Sequence, residues 1–397
     1  MEPQATALIN DPMALFAFLA GLVALVFWLS ELPALRKLFE VVPPVIYVYF
    51  LPMLATTAGI TPAASPLYKW TVPYLLLFAL LLLMVSVDIR SILKLGGMAL
   101  FMVAAGTLGI IIGGPVSLLI FQGSLPADAW TGFAALSGSW IGGTANMVAI
   151  AESVGTSPDA MGPVIVVDTV VGYGWMGVLI ALVGFQHRYD RRTRARTGAV
   201  EETNRRLESQ AGERRAMTLR DAILMIGTGM ACSVLAAWAG GKLPAMGDPT
   251  IISSTTWAVL IVVTGGLLLS FTPARQLEEA GASNLGYTAL YLLLAGIGAQ
   301  ADLRAVLDAP VYLAAGAVWI AIHVAVLLLA ARLVRAPLFF VATGSMANIG
   351  GAVSAPVVAG VYHRAMAPVG LLMAVAGYIL GIYGALACAW LLGQVGG

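Results

Sequence analysis

The chain has 397 residues, 60% of them hydrophobic and 10% charged, with a formal net charge of +1. Soluble domains carry roughly 25% charged residues, so this composition excludes a water-soluble globule and makes a bilayer the solvent. Cys232 and Cys388 stand in separate apolar runs without metal-ligand spacing, which leaves no redox or structural-zinc message.

The segment Met1 to Pro12 carries Glu2 and Asp11 but no basic residue. It lacks the n-region of a secretory signal, so the first apolar run is expected to be a retained helix. Runs long enough to be membrane spans fall at 13–30, 43–60, 72–88, 96–121, 131–153 and 161–185. Six more follow at 221–241, 253–271, 285–300, 310–334, 338–360 and 366–393. The polar stretch between the two sets, 187–220, holds ten of the 21 basic residues, interleaved with Glu201, Glu202, Glu208 and Glu213. It reads as a charged cytoplasmic linker with a short surface helix. No aromatic or motif support points to nucleic acid.

Two of the apolar runs are interrupted. Gly138-Ser139-Trp140-Ile141-Gly142-Gly143-Thr144-Ala145-Asn146 and Gly344-Ser345-Met346-Ala347-Asn348-Ile349-Gly350-Gly351 put paired glycines and short polar side chains at membrane depth. A helix is weakened there, and each backbone group freed in lipid costs several kcal/mol unless something satisfies it. Charge placement orients the breaks. If all twelve runs cross, Arg36, Lys37, Arg90, Lys94, Lys242, Arg304 and Arg364 fall on the side opposite the linker, against the positive-inside rule. If the two broken runs dip in and return, only Lys69, Lys242 and Arg304 stay outside. The re-entrant topology is therefore expected, with five crossings in each half.

An odd number of crossings inverts the second half relative to the first, and the halves are related in sequence. Val87-Asp88-Ile89-Arg90 matches Ala301-Asp302-Leu303-Arg304, the glycine motifs follow, and Pro163 with Gly172-Tyr173 matches Pro368 with Gly377-Tyr378. The expected architecture is an all-α membrane protein, an inverted-repeat secondary transporter of about five plus five transmembrane helices and two broken re-entrant segments. Its divisions are 1–186, the linker 187–220, and 221–397.

Interrupted segments in inverted halves point to a binding site, because half-helix N-termini attract anions and unwound carbonyls hold Na⁺. Ser139, Gly142, Gly143, Thr144 and Asn146 in the first half, and Ser345, Asn348, Gly350, Gly351 and Ser354 in the second, are the candidate solute-binding residues. Close helix packing through small residues is the competing reading. Asp168, with Thr169, lies deep in the sixth run. A carboxylate there costs about 2.5–3.5 kcal/mol and marks an ion or proton pathway. Its partner in the repeat is Met373, as expected if one half carries the coupling. Glu152 either joins this ion-coupling set or marks the membrane edge, and His323 reads as a neutral, hydrogen-bonded core residue. Na⁺ near Asp168 is the first choice of coupling ion and H⁺ the second. No other metal or cofactor is expected. Symport of a small, anionic solute is the leading function, with proton-coupled antiport as the alternative. Intramembrane hydrolysis by Ser137 or Ser139 lacks a base, and there is no P-loop.

Ser139 through Glu152, Ala347 through Pro356, and Pro368 through Gly384 with Gly377-Tyr378 and Gly381 resemble a family of bacterial and plant integral membrane proteins, domain of unknown function 819. The resemblance covers nearly the whole chain. It implies a place among the cation/proton antiporters and bile-acid-type sodium symporters. The arrangement is also similar to that of 2-hydroxycarboxylate and glutamate–sodium symporters. The resemblance further implies a moving unit made of the motif segments with runs six and twelve, a scaffold that is often dimeric, and an ion-coupling role for Asp168. A multi-pass location in the inner membrane, a lipid bilayer environment and a homodimer are the expected setting.

Overall fold

The computed structural model describes residues 7–41, 44–199, 202, 215–247, 250–301, 309–363 and 366–396. Asp302, Arg304 and most of the linker's acidic residues lie outside them. The fold is all-α. Among the described residues the β-structure is confined to an isolated bridge between Met246 and Ile252.

The helices are α1 (Pro12–Glu31), α2 (Arg36–Val41), α3 (Pro44–Thr57), α4 (Pro66–Val85), α5 (Ile89–Lys94) and α6 (Gly97–Phe121). Then come α7 (Ala129–Gly142), α8 (Thr144–Val154), α9 (Pro158–Ala181) and α10 (Gln186–Thr193). After the linker come α11 (Leu219–Gly240), α12 (Ser254–Leu269), α13 (Ala282–Gly298), α14 (Ala309–Val334), α15 (Leu338–Ile349), α16 (Gly351–Tyr362) and α17 (Ala367–Gly396). Local chemistry sets several starts. Asp11, Ser65 and Ser157 cap α1, α4 and α9, each directly before a proline at the first helical position. Thr218 and Asp221 form a capping box that opens α11.

Among the described residues, seven helices are long and apolar enough to cross a membrane: those starting at Pro12, Pro66, Gly97, Pro158, Leu219, Pro310 and Ala367. Hydrogen bonds show which ends lie together. At the end facing the linker, Arg196 N–H donates to the Arg335 carbonyl at 2.9 Å and Arg215 N–H to that of Glu279 at 3.0 Å. Arg275 also pairs there with Asp88. At the opposite end, Leu8 N–H donates to the Gly59 carbonyl at 3.1 Å, Thr56 to that of Ala299 at 2.7 Å, and Ser253 to that of Ser153 at 3.2 Å.

The helices pack as two groups. One is built on α4, against which α11, α12 and α13 lie, with α1 and α3 outside α13. The other holds α6, α7, α8, α9, α14, α15, α16 and α17, and the groups meet mainly where α8 touches α12 and α4. Helices α6 and α14 approach closely, with the Trp319 indole donating to the Ile110 carbonyl at 2.9 Å. Lipid tails are as apolar as leucine, so close packing of this kind, rather than hydrophobic exclusion from water, holds the bundle. The sequence resemblance put only runs six and twelve with the motifs; α6 and α14 belong to the same packed group.

Asp88 knits this framework at the linker-facing end. Its carboxylate caps α5 through the Ser91 N–H at 3.0 Å, accepts from the Ser91 hydroxyl at 2.6 Å and pairs with Arg275. Burial alone would raise the Asp88 carboxyl, but Ser91, with Arg275 and Lys94 nearby, outweighs burial and holds it below its ordinary value of 3.8. Asp88→Ala is expected to cost about 1–2 kcal/mol, read as a lower Tm. A depressed native pKa contributes stability that is present above the unfolded value and lost as pH falls through the native one. The gap in Tm between wild type and variant should therefore be full at neutral pH and close in acid. A gap that widens in acid would refute this role.

Candidate functional site at two helix breaks

The first break falls at Gly143, whose φ of 79° and ψ of 178° belong to a region open essentially only to glycine. Helix α7 stops and α8 runs back beside it. The Asn146 amide donates to the Gly142 carbonyl at 2.6 Å, capping the end of α7. At the mouth, the Thr156 hydroxyl donates to the Thr131 carbonyl at 3.0 Å, so both ends return to the side opposite the linker. The second break falls at Gly350 and Gly351, the latter with φ of 59°. Its ends, Pro337 and His363, line one cavity together with Gly184, Gln186 and Arg194 on the linker side. That hairpin is pinned by Leu338 N–H donating to Asp190 at 2.8 Å and by the Tyr362 hydroxyl donating to the Leu179 carbonyl at 2.8 Å. The two hairpins thus flank opposite ends of α9.

Their tips meet on α17. A methyl added at Gly377 would lie 2.7 Å from the Ile141 carbonyl oxygen and 3.6 Å from that of Ala347, so α17 threads between the two breaks at van der Waals range. The next residue, Tyr378, accepts from Ala352 N–H in the first turn of α16 at 3.2 Å, and its ring lies 3.1 Å from where a Gly143 methyl would stand. Tyr287 on α13 stands near the Tyr378 hydroxyl from the other packed group. Gly143, Thr144, Asp168, Tyr173, Gly350 and Tyr378 all keep partial exposure, whereas Gly142, Asn146, Gly351 and Gly377 beside them are buried.

Asp168 on α9 accepts a hydrogen bond from the Ser139 hydroxyl at 3.0 Å, tying the first hairpin to that helix. Among the described residues no Lys or Arg forms an ion pair with it. The Asn146 side-chain oxygen, almost fully buried, has no donor. Tyr173, five residues after Asp168, faces Ser354 of the second hairpin. The candidate residues Ser139, Gly142, Gly143, Thr144, Asn146, Asp168, Gly350, Gly351 and Ser354 are therefore gathered around the tips.

Three others are placed differently. Ser345 points away from the tip: its oxygen lies 2.9 Å from both His323 Nε2 and the Trp175 indole nitrogen. His323 Nδ1 lies 3.0 Å from the Gly106 carbonyl, which can only accept. In the neutral ring this puts the proton on Nδ1, with Ser345 donating to Nε2 and accepting from Trp175. Asn348 is turned into α6, its amide oxygen on the Thr107 hydroxyl at 3.0 Å and its nitrogen on the Gly344 and Val103 carbonyls. Glu152 lies in the last turn of α8, about 13 Å from the break at the ordinary helical rise. Sequence reasoning used Tyr173 and Tyr378 only as markers of relatedness. It missed Tyr378 as the residue both tips touch, although the repeated pair was the signal. Tyr378→Phe would leave the Ala352 N–H without its acceptor. The expected cost is about 1–3 kcal/mol, read as a lower Tm, and an unchanged Tm would mean that the contact is dispensable.

With seven helices of spanning length among the described residues and two glycine-broken hairpins at its centre, this is a multi-pass α-helical membrane protein. The chain belongs to the family described as "Protein of unknown function (DUF819)", whose profile matches residues 17–395. It is also similar to the "Uncharacterized membrane protein YjcL" of Bacillus subtilis (strain 168), 26% identical over 340 residues, which is 83% of this chain and 85% of that protein.

Proposed function

We propose that the protein is an ion-coupled secondary transporter that binds a small, anionic solute between the two hairpin tips. The observation that carries this reading is the convergence of both breaks on Gly377-Tyr378 from opposite ends of α9. The first turns of α8 and α16 bring positive dipole ends to that point, suited to a carboxylate. Alternating access would follow from exposing these tips to one side and then the other. The repeat supports the same reading: Gly377 lies against Ile141 of the first hairpin, and its counterpart Gly172 lies against Ile349 of the second.

Asp168 is the proposed coupling residue, with Thr169 beside it. A carboxylate at this depth without an ion-pair partner calls for a cation, and Na⁺ held with Ser139 is the first reading. Proton coupling is the second, suited to a carboxylate that has the Ser139 hydroxyl on it and Tyr173 close by. A role in hydrolysis finds no support. Ser137 donates to the Ala134 carbonyl in its own helix, Ser139 is held by Asp168, and His323 lies on Gly106. The positive-inside rule makes the linker cytoplasmic in a plasma (inner) membrane, and a homodimer is the assembly we expect.

The test is uptake in proteoliposomes. A panel of radiolabelled small carboxylates is offered under an inward Na⁺ gradient, an inward proton gradient, or neither. At least one solute should accumulate only with a gradient. No accumulation across a broad panel under either gradient would sink the reading.

A further inference from the structure

Helix α10 leaves the end of α9 and carries Arg188, Arg191 and Arg192, while α14 ends on Arg332. Between the two helices lies a half-open pocket of about 450 Å³ lined by Tyr189, Arg192, Thr193, Leu328 and Arg332. Its polar chemistry is one-sided. Arg192 and Arg332 are exposed, and among the described residues neither has a carboxylate partner. The Tyr189 hydroxyl has no hydrogen-bond partner there, and the Thr193 hydroxyl is already donating to the Tyr189 carbonyl at 3.0 Å. Helix C-termini favour a cation, which accounts for one arginine at each helix end. It does not account for two guanidiniums and a free phenol facing one space. Two like charges there repel unless an anion sits between them, and guanidinium forks suit the oxygens of a phosphate.

The remaining wall indicates what carries the phosphate. Leu328 closes the pocket from α14, and beside it Leu329 and Leu333 are 62% and 75% exposed on the same spanning helix. A donor cluster flanked by exposed leucines in the last turns of a spanning helix matches a headgroup with its acyl chains.

We propose that Arg192, Arg332 and Tyr189 form a binding site for the phosphate of an anionic phospholipid in the leaflet on the linker side. The site lies on the helix that continues from the Asp168 helix. Asp190, next to Tyr189, caps the second hairpin through Leu338. Lipid bound there would fasten α10 to α14 beside the hairpin's base.

The experiment titrates purified, detergent-solubilised protein with dioleoylphosphatidylglycerol, dioleoylphosphatidylcholine or inorganic phosphate, following Tm and lipid adducts by native mass spectrometry. Phosphatidylglycerol should raise the Tm and stay bound, whereas phosphatidylcholine and inorganic phosphate should do neither. In Arg192→Ala/Arg332→Ala the apparent affinity for phosphatidylglycerol should fall about tenfold or more, the size expected when charge-assisted hydrogen bonds are lost. Tyr189→Phe, which keeps the fold and both charges, should weaken it by a smaller factor. Arg188→Ala, on the same helix but lining a different cavity, should leave it unchanged. Equal responses in wild type and both pocket variants would overturn the site. A shift reproduced by inorganic phosphate alone would assign the pocket to free anion and overturn the lipid.

Discussion

Replacing Asp168 with asparagine is expected to abolish gradient-driven uptake, by about two orders of magnitude or more, while leaving the fold intact. The amide is nearly isosteric with the carboxylate, and its oxygen can still accept from Ser139, which sits 3.0 Å away. What it loses is the negative charge and the proton site. A carboxylate at mid-span costs about 2.5–3.5 kcal/mol, so removing it should leave Tm unchanged or raise it. This separates coupling from architecture. A purely structural acid would show the reverse pattern, with lowered Tm and uptake falling only in proportion to folded protein. Asp168→Ala adds the loss of the Ser139 acceptor and should lower Tm as well, since a buried hydroxyl left unpaired costs about 1–3 kcal/mol. Undiminished uptake by the asparagine variant would end the assignment of Asp168.

The fold was legible where chemistry repeats along the chain. Paired glycines inside apolar runs, with serine and asparagine beside them, located both breaks to within a residue or two, because only glycine adopts the φ of 79° found at Gly143. The proline-led starts were not read: α4 opens at Pro66 and α9 at Pro158, ahead of the apolar runs expected at 72 and 161. The site was only half legible. Spacing brings Ser139 and Asp168 near each other in principle, but whether a polar side chain faces the tip or the neighbouring helix depends on helix rotation. Ser345 and Asn348 turned towards His323 and Thr107, which satisfies their buried polar groups in a twelve-residue helix surrounded by protein. Tyr378 was missed for a related reason. An aromatic in an apolar run reads as core or belt, and its hydroxyl acquires meaning only when two breaks far apart in sequence arrive beside it.

Gly142→Ala and Gly143→Ala should both be strongly damaging small substitutions at the first break, for two different reasons. At Gly142 the obstacle is space. A methyl there would stand 2.0 Å from the Asn146 amide nitrogen and 2.7 Å from the Gly381 Cα on α17. The amide cannot swing away without releasing the Gly142 carbonyl that it holds at 2.6 Å, and the Gly381 contact is backbone. Overpacking of this kind costs about 1–3 kcal/mol and more when no neighbour can yield. Its relief would push α17 off the first hairpin and move Tyr378 from both tips. At Gly143 the obstacle is conformation. The backbone region it occupies costs a side-chain-bearing residue about 1–3 kcal/mol, and the Tyr378 ring lies 3.1 Å from the new methyl. Both variants should show a clearly lowered Tm and uptake reduced beyond the loss of folded protein. Gly174→Ala on α9 is the control, because nothing lies within 4 Å of its added methyl and alanine is the better helix former by about 0.5–1 kcal/mol. It should match or exceed wild-type Tm with uptake unchanged. If Gly142→Ala behaved like Gly174→Ala, the contact between α17 and the first hairpin would not be what holds the two tips together.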